Sequence, residues 1–187
     1  MSRLKPRTPQ PAQQTSQPSR GTDTPRPVDT SGPTLATHRV TYSDRLKVFI
    51  GPGEVIYNFL RPLRRLDGYH RYTIDMTCLP EPMRATEITQ VVSSAPGRDY
   101  LRCTGSADAM AIEMSATSHG VTRRYTIGRG GDRTGLPDTD VSAPSGVHVP
   151  RVYSDEVFTA EEASEIFTSY FQSGSVAPGF YLRETVA

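Results

Sequence analysis

The sequence predicts an α+β domain, a mainly antiparallel sheet packed by two or three helices, that follows a disordered N-terminal tail. Three observations predict this class. The chain begins with a proline-rich segment without aromatic residues, short apolar segments separated by turn formers fill its middle, and a capped amphipathic segment stands near its end. Short apolar segments between turn signals are typical of strands, and capped amphipathic periodicity is typical of a helix.

Residues 1–40 are assigned to the tail and residues 41–187 to a single domain, because a chain of 187 residues favours one domain. The first 37 residues hold seven of the 16 prolines. Such a segment cannot bury enough apolar surface to offset about 1–2 kcal/mol of backbone entropy per residue. The tail carries five basic and two acidic residues, a net charge of +3. A basic tail can contact nucleic acid or an acidic partner, but charge this dilute favours a linker.

The sequence shows no membrane-targeting pattern. The basic residues at the start are not followed by the continuous apolar core of a secretory signal. No apolar run approaches the roughly 18 residues that a membrane span requires. We therefore expect a cytoplasmic protein without a membrane partner.

The first helix of the domain is predicted between Val55 and Leu66, where apolar residues fit one helical face. Pro62 is expected to kink this helix or to end it near Arg61. The alternation of apolar residues at its start also permits a strand. The same region carries the domain's densest basic cluster, which either flanks the helix in solvent or meets phosphate. Its members are Arg61, Arg64, Arg65 and Arg71.

The middle of the domain predicts an antiparallel meander. Residues 69–79 suit a strand that follows the Asp67-Gly68 turn and ends at an LPEP turn. Residues 83–93 permit either a short helix or a strand, because several of them are β-branched. Three more strands are predicted, and the last two form a hairpin through Ser118-His119-Gly120. These strands are Tyr100–Cys103, Ala109–Met114 and Val121–Ile127.

A long surface loop is predicted from Gly128 to Gly146, where turn formers dominate. Loops of more than about 12–15 residues in compact domains tend to be functional or disordered. Its glycines do not form a phosphate-binding loop, because that motif needs a Lys-Ser or Lys-Thr pair that opens a helix, and here Pro137 follows.

The best-defined element is a helix that begins at Ala160. Thr159 and Glu162 have the spacing of a capping box, in which each side chain accepts from the other residue's amide. Glutamates in the first turns complement the helix dipole, and Gly174 stands where a left-handed residue would end the helix. Its aromatic face is expected to lie on a sheet. The expected neighbouring strands contain Val147, Val149 and Val152 before the helix and Phe180, Tyr181 and Leu182 after it.

No enzyme motif stands in the sequence. The four histidines lack metal-ligand spacing, and no serine lies in a G-x-S-x-G elbow. Carboxylates are plentiful, but nothing singles out a catalytic pair. Cys78 and Cys103 are expected to pack as small hydrophobes in strands, with a disulfide between them left open. We expect no catalysis, no metal and no cofactor.

The C-terminal segment VFTAEEASEIFTSYFQSGSVAPGFYLRE resembles the end of the first-numbered immunity-protein family of bacterial polymorphic toxin systems, in the form common in actinobacteria. In that family a helix with alanine and aromatic residues is followed by a G-x-x-x-P turn and a last strand. The resemblance implies a non-catalytic protein that binds a cognate toxin domain, often a nuclease or deaminase, and blocks its active site. The matching residues are Ala163, Phe167 and Tyr170 in the helix, Gly174 and Pro178 in the turn, and Phe180–Arg183 in the strand.

An acidic surface is the candidate for binding such a toxin. A toxin that acts on nucleic acid tends to be basic, and an acidic inhibitor can steer to it. Each acid also has a plainer role as a dipole complement or as ordinary solvated surface. The candidates are Asp132, Asp138, Asp140, Asp155, Glu156, Glu161, Glu162 and Glu165.

Two other functions compete with this one. The Arg61–Arg71 cluster and the basic tail permit a nucleic-acid-binding or regulatory module, whose affinity would fall steeply with salt, although nucleic acid is not the partner that we expect. An enzyme built on the acidic loop would need a concave pocket with convergent carboxylates.

Overall fold

The computed structural model describes residues 35–88, 99–131, 133–147 and 149–185. These residues belong to the second of two units into which the chain divides, Gly32–Ala187. Residues 1–34 of the predicted disordered tail lie outside the described residues.

The described part of the chain begins in a strand that the sequence analysis assigned to the tail. Strand β1 spans Leu35–Tyr42, so the predicted boundary at residue 40 is wrong. Ala36, His38 and Val40 alternate along this strand and are all buried. Threonine and arginine separate these three residues, so the sequence contains no apolar run that would have indicated a strand.

The described residues form one antiparallel sheet of eight strands and two α-helices, which confirms the predicted α+β class. The remaining strands are β2 Leu46–Ile50, β3 Thr73–Arg84, β4 Tyr100–Gly105, β5 Met110–Ser118, β6 Val121–Gly128, β7 Val157–Phe158 and β8 Tyr181–Thr185. Their order is β2-β1-β3-β4-β5-β6-β8, and β7 pairs with β5. Every pairing is antiparallel.

The two faces of the sheet differ in chemistry because side chains alternate along a strand. One row of partners across β1, β3, β4 and β5 is Val40, Met76, Leu101 and Met114, all buried. The next row is Thr41, Asp75, Arg102 and Glu113. In that row the Arg102 guanidinium donates to both carboxylate oxygens of Asp75 at 2.8 Å.

Two helices contribute to the core. Helix α1 spans Ile56–Leu63 and α2 spans Ala160–Ser173. They meet through Phe59, whose ring centroid lies 6.4 Å from that of Phe167 and 5.6 Å from that of Phe171. Neither of these helices, the only ones in the described residues, is long and apolar enough to span a membrane.

Several predictions about these elements are confirmed. Helix α2 begins at Ala160 with the Thr159–Glu162 capping box, and Gly174 ends it with φ of 69°. The meander forms, and the β5–β6 hairpin turns through His119 and Gly120, which both have positive φ. A helix forms after Val55, although it ends two residues beyond Arg61. Pro62 has no amide to donate to the Asn58 carbonyl, and the helix ends one residue after it, at Leu63.

Other predictions need correction. Strand β3 does not end at LPEP but continues to Arg84, and its register with β1 shifts between Ala36 and His38 to accommodate the prolines. Residues 85–87 form a single 3₁₀ turn, and residues 89–98 lie outside the described residues. The strand before α2 is β7 rather than residues 147–152, of which Val152 makes only an isolated bridge to Thr139. Pro150 lacks the amide that a longer ladder would use.

Candidate functional site

A groove lies between the β1–β2 hairpin and the C-terminal end of α1. Its volume is about 690 Å³, and it is open to solvent. Apolar side chains and cationic side chains share its wall, and none of the acidic residues that the structure describes lines it. We call it the β2–α1 groove and define it by the residues Tyr42, Ser43, Arg45, Leu46, Val48, Pro62, Arg65, Leu66, His70, Arg71 and Thr73.

The hairpin wall of the groove is fixed to the start of β3. Ser43 and Asp44 adopt left-handed backbone conformations, with φ of 46° and 57°, and make a tight turn. The Ser43 amide donates to the Thr73 carbonyl at 2.9 Å, and the Tyr72 amide donates to Ser43 Oγ at 3.1 Å. The Tyr72 hydroxyl also donates to the Asp44 carboxylate at 3.0 Å. The turn that carries Arg45 is therefore held by polar bonds, not by packing alone.

The opposite wall is set by the turn at Asp67. Asp67 Oδ1 accepts hydrogen bonds from the amides of Tyr69, His70 and Arg71 at 2.8, 2.8 and 3.0 Å. The bonds from the Arg71 and Tyr69 amides lower the pKa of Asp67 below its ordinary value. Gly68 has φ of 74°, and a Cβ there would meet Ser142 Cβ at 2.8 Å. The predicted Asp67-Gly68 turn thus directs His70 and Arg71 to the groove.

The arginines of the groove lack carboxylate partners. Within the described part of the chain, no Asp or Glu lies at ion-pair distance from Arg45, Arg65 or Arg71. The neighbouring Arg64 differs, because its guanidinium pairs with Glu161 at 2.7 Å. The predicted basic cluster is therefore divided, and Arg65 and Arg71 alone of its members line the groove.

Exposed apolar side chains concentrate in the part of the chain between Tyr42 and Thr73, which also supplies the groove residues. Of the eleven large hydrophobic residues that are exposed among the described residues, six lie between residues 46 and 69. A surface with many exposed apolar groups marks an interaction site more often than scattered single residues do. The six are Leu46, Val48, Val55, Ile56, Tyr57 and Tyr69.

Strand β2 forms an edge of the sheet. Within the described residues its only strand partner is β1. Leu46 and Val48 of this strand line the groove. An edge strand has backbone amides and carbonyls on its outer side that a further strand can bind.

The acids predicted as a partner-binding surface have different environments. Glu156 is fully buried. Its carboxylate accepts from Arg183 Nε at 2.7 Å and from Arg183 Nη2 at 2.8 Å, and Arg133 Nη2 lies 3.4 Å away. Asp155 pairs with the same Arg133 at 2.8 Å. These two acids hold β8 and the loop after β6 in place through Arg183 and Arg133, so their charges are neutralised within the domain.

The acids at the start of α2 are also paired. Glu161 pairs with Arg64, and the Arg64 hydrogen bond lowers the pKa of Glu161. Burial alone would raise the pKa of Glu162, but hydrogen bonds from Arg129 and Thr159 outweigh it and lower that pKa. Arg129 Nη2 lies 2.6 Å from Glu162 Oε2.

The remaining candidates lie on the surface. Asp140 is 3.5 Å from Arg151 Nε in an exposed pair. Asp138 is exposed and accepts only from the Thr139 hydroxyl, at 3.3 Å. Glu165 is exposed on α2. Asp132 lies outside the described residues.

Nucleophile chemistry has one candidate arrangement. Cys78 Sγ lies 3.3 Å from His38 Nε2, and both cysteines of the chain are free thiols. Burial raises the pKa of the Cys78 thiol and lowers the pKa of the His38 imidazole. Both groups are therefore neutral at pH 7, whereas a reactive cysteine requires the thiolate. No group of three or more potential metal ligands comes together among the described residues.

Sequence reasoning did not identify the groove. Its residues come from β1, β2, α1 and the turn before β3, and β1 and β2 were not predicted at all. The Asp67-Gly68 turn and the basic cluster were the available signals, and they indicated part of one wall.

Comparison with family models, curated proteins and solved structures found no match to this chain. Its function is therefore inferred from the geometry of the groove and of the paired acids.

Proposed function

We propose that this protein is a non-catalytic interaction protein that binds a partner protein through the β2–α1 groove and the exposed apolar residues beside it. The observation that carries the proposal is the coincidence of three features at one place. These are the exposed apolar side chains of Leu46 and Val48, the arginines that have no carboxylate partner among the described residues, and the outer edge of β2, which no described strand pairs with.

The residue types at this surface suit protein recognition. Tyrosine and arginine are enriched among the residues that dominate binding energy at interfaces, and apolar anchors next to them exclude water. Tyr69, whose ring centroid lies 4.7 Å from that of the groove residue His70, is 66% exposed, although its ring has a large apolar area. Binding a partner would remove that area from water, at about 25 cal/mol per Å² before the costs of association.

The partner that we propose is a cognate toxin domain, because the C-terminal segment resembles an immunity-protein family. Neutralisation would take place in the cytoplasm of the producing cell. The acids of the predicted partner-binding surface contribute less to this proposal than the sequence analysis expected. Five of them pair with arginines of the same chain, so they contribute little net negative field to steering.

The experiment is co-expression with the product of the open reading frame beside this gene. We expect the two proteins to co-purify near one-to-one stoichiometry and the toxic product to lose its effect on growth. If the neighbouring product neither binds nor is neutralised, the proposed function is wrong.

A second candidate function is nucleic-acid binding through the same arginines, since Arg45, Arg65 and Arg71 lack carboxylate partners within the described residues. It predicts a mobility shift with single-stranded DNA at low salt that disappears as salt rises. The absence of a shift at low salt would exclude it.

A further inference from the structure

We propose that the β2–α1 groove binds an extended, acidic segment of the partner protein, which adds to the sheet beside β2. This inference rests on the proposed function and specifies the chemistry of the partner segment. The segment would carry carboxylates and apolar side chains on the same face.

The open edge determines the backbone conformation of the segment. Among the described residues β2 is bonded to β1 on one side only, so its outer amides and carbonyls are available to a further strand. A strand added there would lie about 4.8 Å from β2. Main-chain hydrogen bonds of this kind give affinity, and pockets for alternate side chains give specificity.

The groove determines the side chains of the segment. Leu46 and Val48 lie two residues apart, so both point to the groove face of β2. Alternate side chains of an added strand would lie beside them on that face. The apolar ones would contact Leu46 and Val48, and the volume of about 690 Å³ falls within the range typical of ligand pockets.

The arginines of the groove determine the charge that the segment must carry. Arg45 stands at the hairpin end of the groove, and Arg65 and Arg71 stand on the wall opposite β2. Within residues 35–88, 99–131, 133–147 and 149–185, no acid lines the groove to compete for them. Arginine guanidinium groups bind carboxylates through two parallel hydrogen bonds, so a segment with glutamate or aspartate complements this wall.

A protein segment fits these features better than a nucleic acid. Single-stranded nucleic acids bind by base stacking on exposed aromatic rings beside basic residues. Among the described residues the aromatic rings that line the groove are those of Tyr42, which is half-buried, and His70, and only Tyr69 beside His70 adds an exposed ring. A nucleic acid has no backbone amides to bond to the β2 edge. Burial, with a smaller effect from Glu54, raises the pKa of the Tyr42 hydroxyl, so the groove gains no negative charge there at neutral pH.

The test is fluorescence anisotropy with the full chain and a labelled peptide that repeats two glutamates and two valines. This repeat places both residue types on each face of an extended strand. Three controls accompany it: the same repeat with lysine in place of glutamate, the acidic repeat N-methylated at every valine, and labelled oligo(dT). The protein variants are Arg65→Gln/Arg71→Gln and, as a matched control on the neighbouring helix α1 but outside the groove, Arg61→Gln.

We expect the acidic peptide to bind, and the lysine peptide not to bind. The double variant should bind the acidic peptide about tenfold more weakly or worse, because it loses two charge-assisted contacts. N-methylation removes amides on both edges of the peptide and should weaken binding to a similar degree. Arg61→Gln should bind within about twofold of the wild type.

Equal binding to the wild type and the double variant would overturn the proposal, and so would binding that N-methylation leaves unchanged. Binding of oligo(dT) without binding of the acidic peptide would replace it with the nucleic-acid function. The charge-reversal variant Arg65→Glu/Arg71→Glu provides a second readout, since it should bind the lysine peptide in preference to the acidic one. If the product of the neighbouring open reading frame binds the double variant more weakly than the wild type while the acidic peptide binds neither, the proposed function stands and this inference fails.

Discussion

The glutamates at and just before the start of α2 and the arginines of the β2–α1 groove are both clusters of like charge, but they differ in whether the domain itself pairs them. At the start of α2, Glu156, Glu161 and Glu162 each pair with an arginine of the same chain. In the groove, Arg65 and Arg71 have no carboxylate within reach among the described residues. Charges that are paired inside the domain hold elements together, whereas unpaired charges beside exposed apolar side chains are available to a partner. The groove is therefore the better candidate interface.

The largest expected effect comes from breaking the buried pair. Glu156→Gln should lower the free energy of unfolding by about 3 kcal/mol, because it leaves Arg183 without its buried countercharge. Urea unfolding followed by circular dichroism measures it. The matched control Glu165→Gln changes an exposed carboxylate and should stay within about 0.5 kcal/mol of the wild type. Equal effects of the two substitutions would contradict the structural role of Glu156.

The helix cap should have an intermediate effect. Thr159→Ala removes the hydroxyl that accepts from the Glu162 amide and should cost about 1 kcal/mol of stability. Thr168→Ala removes a hydroxyl that bonds within the helix, to the Ser164 carbonyl, and should cost less than Thr159→Ala. Thermal unfolding of both variants compares them, and a larger effect at Thr168 would be inconsistent with the capping box.

The Glu162–Arg129 pair predicts a pH dependence. The pKa of Glu162 is lowered in the folded protein, so its ionised form stabilises the fold above its ordinary value of 4.5. That contribution is lost as the pH falls through the lower, folded pKa. Glu162→Gln should cost about 0.5 kcal/mol at pH 7, a small value because the pair is 39% exposed on each side. The difference from wild type should shrink in unfolding experiments below pH 4.5, and a difference that grows there would contradict this sign.

The smallest effect on stability is expected in the groove. Arg65→Gln/Arg71→Gln should change the free energy of unfolding by less than about 0.5 kcal/mol, because neither side chain has a carboxylate partner to lose. Arg183→Gln offers the contrast, since it breaks the bidentate pair with Glu156. A large loss of stability in the groove variant would mean that these arginines serve the fold.

The sequence predicted the elements whose signals are local. The capping box of α2, Gly174 and the β5–β6 turn are marked by residues a few positions apart, and all three are confirmed. Strand β1 was missed because one of its three alternating buried residues is the polar His38, so the apolar alternation typical of a strand is interrupted. Strand β3 continues beyond Pro80 and Pro82 because its register with β1 shifts there, and this shift is visible only in the pairing of the two strands.

The site was harder to predict because it depends on contacts between distant residues. Nothing in the sequence distinguishes Glu156 from a surface acid. In the structure its carboxylate is buried, and its charge is compensated by Arg183, 27 positions away. Arg64 and Arg65 are neighbours in sequence, yet one pairs with Glu161 and the other lines the groove. Charge patterns therefore identified candidate residues, but not which of them stay unpaired.

The central claim is that the β2–α1 groove, not the acidic surface, binds the partner. Calorimetric titration with the product of the open reading frame beside this gene tests it most directly, with the variants Arg45→Gln/Arg65→Gln/Arg71→Gln and Asp138→Asn/Glu165→Gln. We expect the groove variant to bind about tenfold more weakly or worse, a loss of about 1.4 kcal/mol, and the acid variant to bind within about twofold of the wild type. Normal binding by the groove variant together with weakened binding by the acid variant would contradict the claim.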